Sequence, residues 1–141
     1  MIRAAIKDDL GAVYGLMRQL SRHEFTKEQF ESCYLHSLES NDTYILVNEE
    51  NTCICGCGVL SIHYPLHFSR KAAEIVNLIV DENARGRGIG KDLLAELEKV
   101  AHDNGCICIE VASSKQRIDA HRFYVREGFI NDHYKLTKGF L

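Results

Sequence analysis

Ala72-Ala73-Glu74-Ile75-Val76-Asn77-Leu78-Ile79-Val80, then Arg85-Gly86-Arg87-Gly88-Ile89-Gly90-Lys91, then Asp92–Asn104, is the stretch that decides the fold. The first nine residues are apolar apart from Glu74 and Asn77, as in a strand buried in the middle of a sheet. Asp81–Arg87 is a polar turn. From Gly88 to Asn104, Ile89, Leu93, Leu94, Leu97, Val100 and Ala101 form one apolar stripe at helical spacing, and Gly105 is placed to end it. Strand, glycine loop and amphipathic helix in succession form a unit of an α/β fold.

Toward the N-terminus, Thr52–His63 and Tyr44–Val47 read as strands joined by the polar turn Asn48–Asn51. Thr26–Leu38 reads as a helix opened by a Thr26/Gln29 capping box. Asp8–Leu20 reads as another, with Leu10, Val13, Leu16, Met17 and Leu20 on one face, and Ile2–Ile6 as a short strand. Tyr64–Lys71, with the sole proline, Pro65, is a loop. Toward the C-terminus, Cys106–Ala112 is a strand, Ile118–Glu127 a short helix closed by Gly128, and the tail from Phe129 is strand-like. The expectation is one α/β (α+β) domain over residues 1–141. Its mixed, mostly antiparallel sheet would have about six or seven strands flanked by about four helices.

At 141 residues, 45% hydrophobic and 26% charged, the chain is neither disordered nor low-complexity. Seventeen Lys and Arg against twenty Asp and Glu give a net charge of −3, which argues against a nucleic-acid partner. No apolar run reaches the roughly 18–20 residues of a membrane helix, so no membrane partner is expected. The opening MIRAAIKDDL lacks the apolar core of a signal peptide, and a cytoplasmic location is expected. Cys53, Cys55 and Cys57 alternate, as do Cys106 and Cys108, a spacing unlike the CxxC of a zinc site. Small, reduced, mostly buried thiols are expected.

The glycine loop points to a phosphate. Glycines let a backbone approach a ligand closely, and successive N–H groups form an anion-binding concavity. The helix that follows adds its positive dipole end, and basic side chains add charge. A Walker A loop does not fit, because four residues must separate its first glycine from the Gly-Lys pair. A dinucleotide fingerprint fails at its third glycine, where Lys91 stands, although Glu110 lies about 20 residues downstream and keeps that alternative open. A plain helix-capping turn is the other alternative, and it leaves the R-x-x-G-x-G spacing of Arg85, Gly88 and Gly90 unexplained.

Leu78-Ile79-Val80 with Arg85 through Lys91 resembles the acetyl-CoA pyrophosphate motif of the GCN5-related N-acetyltransferases. Asp119 through Phe129 resembles their second signature, A-x-x-F-Y-x-x-x-G-F, in the same order and at the usual separation. Within that family, Ala12-Val13-Tyr14, Glu24-Phe25, Glu74-Ile75, Asp119 through Gly128, His133 and Thr137-Lys138 look similar to aminoalkylphosphonate N-acetyltransferases. The match weakens between Ser61 and Lys71. The resemblance implies a GNAT-like domain with splayed central strands and acetyl-CoA as co-substrate. Implied contacts to it are Leu78, Ile79, Val80, Arg85, Gly86, Arg87, Gly88, Ile89, Gly90, Lys91, Ser113 and Phe123. Ser114 and Lys115 are alternatives to Ser113.

Acetyl transfer to an amine makes three demands. The amine, with a pKa near 10, must lose a proton. The oxygen gaining charge needs donors, and the departing thiolate benefits from a proton. The resemblance implies Glu74 as base, in an E-I-V context similar to that of histone-modifying members. A partly buried carboxylate suits that job; a strand residue facing solvent is the alternative. It further implies N–H donors from Leu78–Val80, where this strand splays from Cys106–Ala112. Tyr124 is implied as the acid, with ordinary core packing as the alternative. Arg117 departs from the pattern, standing where many members carry Asn.

A phosphonate would want cations, and Arg22, His23, Arg70, Lys71, Arg117 and His133 are available. The resembling phosphonate enzymes are similar to metal-assisted ones, which would put a divalent ion near Glu74 and His67. His63 and His67 lack a clear third ligand, so no metal residues are assigned. The expected partner is a small-molecule primary amine, and a homodimer is a candidate assembly. A non-catalytic acyl-CoA-binding module and a protein N-acetyltransferase are the competing functions.

Overall fold

In the computed structural model, which describes residues 1–140, the elements are β1 (Ile2–Ala4), α1 (Leu10–Leu20), α2 (Lys27–Glu39), β2 (Thr43–Glu50), β3 (Cys53–His63), β4 (Ala72–Val80), α3 (Ile89–Asp103), β5 (Ile109–Val111) and α4 (Ile118–Arg126). One sheet runs β1-β2-β3-β4-β5, antiparallel except for the parallel pair β4–β5. It has five strands rather than six or seven. The strand-like tail 130–140 takes no strand among the described residues, because a strand needs a partner and every residue of this tail is exposed. Among the described residues no helix is long and apolar enough to cross a membrane.

Strand alternation gives the sheet two apolar faces. Ile45, Val47, Cys57, Val59 and Ile79 pack against Val13, Leu16 and Met17 of α1 and Tyr34 of α2. On the other face, Leu60, Ile62, Ala73 and Ile75 pack against Leu94, Leu97 and Ala101 of α3, with Phe123 beside them. Close approach of α3 depends on two glycines of β3. A Cβ on Gly56 would meet Leu93 Cδ1 at 2.9 Å, and one on Gly58 would meet Leu97 Cδ1 at 2.8 Å.

The β2–β3 turn falls later than the sequence suggests. Asn51 and Thr52 both have positive φ, 50° and 65°, and make a two-residue hairpin turn, so β2 runs on through Glu50. The thiols are free, but only Cys57 is buried, and burial pushes it up to about 12. General burial fails because Cys53 adjoins the turn and Cys106 and Cys108 lead into the edge strand β5.

Candidate active site

β4 leaves β5 part-way along its length. The strands pair at Ala73–Ile109, Glu74–Glu110 and Ile75–Val111, and no further pair follows. On the other side Leu60 of β3 pairs with Ile75 and Val59 with Asn77, which makes Val76 the extra residue of a bulge. A bulge bends its strand and sharpens the local twist. The second half of β4 therefore diverges from β5, and a cleft opens with main chain along one wall.

One bond sets which amides face that cleft. Asp81 N–H donates to the Cys55 carbonyl at 2.8 Å, toward β3. By alternation Ile79 also turns its N–H and C=O to β3, whereas those of Leu78 and Val80 face the opening. Arg85 Nε donates to the Val80 carbonyl at 3.3 Å. Of the three strand residues read from the sequence, Leu78 and Val80 thus present free N–H donors, and Ile79 is committed to the sheet and the core.

Beyond β4 the glycine loop curls over. Gly86 and Gly88 have φ of 81° and 79°, the left-handed region where a side chain is strained. Gly88 caps α3. Outside the helices' own hydrogen bonds, no N–H from Gly86 to Lys91 donates to a backbone carbonyl among the described residues, so the loop and the helix dipole form an anion cradle. Arg87 is drawn toward Glu50, Nη1 to Oε2 at 3.5 Å, and Lys91 is exposed. A Cβ built on Gly90 would lie 3.5 Å from Val80 Cγ2 and 3.9 Å from Phe123 Cζ. The start of α3, the end of β4 and α4 therefore meet, and buried Ile89 anchors the junction from below.

Tyr124 is buried, with its ring edge-on to Phe123 and Phe129 at centroid distances of 5.3 and 5.4 Å. Burial raises the phenol above its ordinary value, and the Arg117 charge works in the opposite direction. Arg117 caps α4 seven residues earlier, two turns back on the same face. Helical side chains lean toward the N-terminus, so the tyrosine points back at the arginine. Ser113, just after β5, has a buried Oγ with no hydrogen-bond partner, and its carbonyl lies 3.3 Å from His121 Nε2.

Glu74 stands just before the split. Its Oε1 is 3.7 Å from His63 Nε2, with 43% of the Glu74 side chain exposed. Its register partner Ser61 lines a cavity of about 300 Å³ between α2 and the bulge, together with Cys33, Ser37, Thr43, Val76 and Asn77. His67 does not join His63; it lies against the Phe68 ring at 4.4 Å. Among the described residues no three His, Cys, Asp or Glu side chains gather in a way that could hold a metal ion. The cations disperse: Lys71 lies over Tyr64, His133 bonds Asp132, and Arg22 bonds Gln116 across two loops.

The family model for the acetyltransferase (GNAT) family matches residues 11–129. The chain belongs to the GNAT family. This GNAT protein is 31% identical over 137 residues to the aminoalkylphosphonate N-acetyltransferase of Salmonella typhimurium, covering 97% of this chain and 89% of that one. The structure of glucosamine-6-phosphate N-acetyltransferase from Arabidopsis thaliana matches with a TM-score of 0.84 at 26% identity, over 99% of this chain and 97% of that one. The aminoglycoside N-acetyltransferase AAC(6')-Iy in complex with CoA shares the fold, with a TM-score of 0.89 at 18% identity over 99% and 93% of the two chains. The GNAT chain is thus an acyltransferase of the N-acetyltransferase type.

Some of the GNAT cavity's lining carries no mark in the sequence. Cys33, Thr43 and Ser61 come from three separate elements and converge only through sheet register. Asn77 is the one visible signal, as a polar break in the apolar run of β4.

Proposed function

We propose that residues 1–141 act as one catalytic unit that moves the acetyl group of acetyl-CoA onto the primary amine of a small molecule, with an aminoalkylphosphonate as candidate acceptor. The observation that carries this reading is the junction of Gly90, Val80 and Phe123, where the anion cradle, the free main chain of β4 and the Tyr124 helix come together.

When bound, acetyl-CoA supplies a thioester whose carbonyl an amine can attack. The N–H groups of Arg85–Lys91 bind its diphosphate, and Gly86 and Gly88 allow them to converge. The Leu78 and Val80 amides and the Ser113 hydroxyl orient the pantetheine arm in the cleft, and the cleft amides donate to the thioester oxygen as charge grows on it. Glu74 accepts the ammonium proton, directly or through water. Tyr124, a phenol protonated at neutral pH whose pKa burial raises further above 10.0, gives its proton to the departing sulfur. As the C–S bond breaks, the second proton of the newly acylated nitrogen passes to the phenolate, which gives the neutral amide and restores Tyr124, and Arg117 steadies the phenolate meanwhile.

The cavity of about 300 Å³ suits a small molecule, since ligand pockets start near that size. Arg22 and Arg117, on loops joined by the Arg22–Gln116 bond, supply guanidinium groups for a phosphonate. The Salmonella relative's name supports the same acceptor class.

The test is thiol release from acetyl-CoA across aminomethyl- and aminoethylphosphonate, glucosamine 6-phosphate, polyamines, aminoglycosides, amino acids and peptides, with and without divalent ions. Turnover is expected with the aminoalkylphosphonates. Tight acetyl-CoA binding without turnover on any amine would make the protein an acyl-CoA-binding module instead.

A further inference from the structure

Four strands carry one polar row across the face of the sheet that α1 and α2 cover. Thr43 of β2 pairs with Ser61 of β3, Ser61 with Glu74 of β4, and Glu74 with Glu110 of β5. Register partners share a face, and neighbouring strands lie about 4.8 Å apart. Ser61 is therefore one strand from Glu74, and Thr43 two strands, roughly 10 Å. Ile45 and Val59, next to the two hydroxyls on that face, are buried in the apolar core, so Thr43 and Ser61 interrupt a hydrophobic surface.

The hydroxyl end of the row opens into the cavity of about 300 Å³. Ser37 of α2 and Asn77 of β4 join Thr43 and Ser61 in its lining, while Phe30 and Val76 supply apolar wall. Among the described residues no charged side chain lines it. Ser113 Oγ, elsewhere, is the one described side-chain atom buried without a partner. The four polar groups of the cavity take no part in the described side-chain hydrogen bonds, so they keep contact with its open space. An unpaired hydroxyl or amide gains by meeting a polar partner and loses by being covered with carbon. The cavity thus favours neutral hydroxyls on a short carbon frame, and a charged group would lie there without a counter-ion. Glu74 and Glu110, at the other end of the row, favour a cation. That sets a direction, with nitrogen toward Glu74 and hydroxyls toward Ser61 and Thr43.

We infer that the acceptor is a hydroxylated amine, with hydroxyl groups on the carbons beyond its nitrogen, and that Ser61 and Thr43 select it over the analogue lacking them. Ser37 and Asn77 complete the set of hydrogen-bonding partners. This rests on the reading in which Glu74 receives the amine of an acetyl acceptor. It adds hydroxyls to the candidate aminoalkylphosphonates and leaves their phosphonate outside the uncharged cavity.

Matched pairs of acceptors test it: aminopropanediol against propylamine, and hydroxylated against plain aminoethylphosphonate. Thiol release from acetyl-CoA should give the hydroxylated member a kcat/KM about tenfold higher, the worth of a recognised hydroxyl. Ser61→Ala and Thr43→Val should each lower that ratio about tenfold. A ratio taken within one protein does not depend on how much of it is folded, and the lower pKa that a hydroxyl gives the amine itself acts equally in both variants. Calorimetric titration of the CoA-loaded protein with the same pairs reads the preference without turnover and should follow the same pattern. Equal treatment of both members by the wild-type protein overturns the inference and leaves acetyl transfer standing. A preference that neither substitution moves also overturns it, by placing hydroxyl recognition elsewhere. Absence of turnover on every amine would fell the acetyl-transfer reading alone, because the measured affinities still decide the hydroxyl preference.

Discussion

Ile75 and Val111 are the last residues at which β4 and β5 run side by side, and Val76, the next along β4, is the bulge residue. The two irregularities have a joint effect. Before the split, Glu74 projects on the same face as its register partner Ser61, which lines the cavity; after it, the amides of Leu78 and Val80 face open space. The carboxylate and the amides to which the proposed function gives the proton-accepting and hydrogen-bond-donating roles are thus set a few residues apart on one strand.

Replacing Tyr124 by Phe removes the phenolic proton and keeps the ring packing with Phe123 and Phe129. Turnover should fall about 100-fold, within the range acid–base groups contribute, with little change in the acetyl-CoA KM. Steady-state thiol release reports both quantities. Burial lifts the phenol above its ordinary 10.0, so the alkaline fall of kcat belongs above that pH, and Arg117→Met should move it higher still. Unchanged turnover in Tyr124→Phe would remove this residue from the mechanism.

Glu74→Gln keeps the shape of the side chain and loses the proton acceptor. At neutral pH kcat/KM for the amine should drop about 100-fold. The gap from wild type should narrow as pH rises through about 10, where half or more of the amine is already free base. A deficit independent of pH would assign Glu74 to binding rather than proton transfer.

Two glycine replacements separate ligand binding from packing. Nothing lies within 4 Å of a Cβ at Gly88, so Gly88→Ala strains only its φ of 79°. It should cost about 1 kcal/mol of stability and weaken CoA binding severalfold, because the loop amides rotate. At Gly56 a Cβ would sit 2.9 Å from Leu93 Cδ1 and 3.2 Å from the Ile79 carbonyl. Gly56→Ala should therefore cost about 1–3 kcal/mol by prising α3 from the sheet. Thermal melts alongside calorimetric CoA titrations distinguish the two.

Arg3 holds β1 to the 3-10 turn Lys7–Asp9 and to β2, donating to Asp9 at 2.8 and 2.9 Å and to Glu49 at 2.7 Å. It keeps the Asp9 carboxyl below its usual 3.8. A depressed carboxylate stabilises the fold above its ordinary pKa, and that contribution is lost as pH falls through the native value. Arg3→Met should lower the melting midpoint at neutral pH, and its difference from wild type should close below pH 3.8. Melting curves at both pH values check the sign.

Local pattern carried much of this architecture. β4 occupies Ala72–Val80 as its apolar run indicates, and α3 covers Ile89–Asp103, one residue inside each expected end. The Thr26 cap is present, with its Oγ1 accepting from Gln29 N–H at 3.1 Å. Gly105 and Gly128 end their helices at φ of 77° and 97°. These features depend on neighbours within one or two turns, which the order of residues states directly.

By itself, then, the sequence determined the helices, the central strand and the glycine loop, and through their motifs the acetyltransferase class. Only the tertiary structure decided that Val76 bulges, that Leu78 and Val80 rather than Ile79 turn their amides to the cleft, that His63 rather than His67 meets Glu74, and that the tail has no strand beside it. Each of those depends on which distant residue lies across a ladder or a loop. Side-chain periodicity records a strand's two faces, but it is silent on the partner to which the backbone bonds.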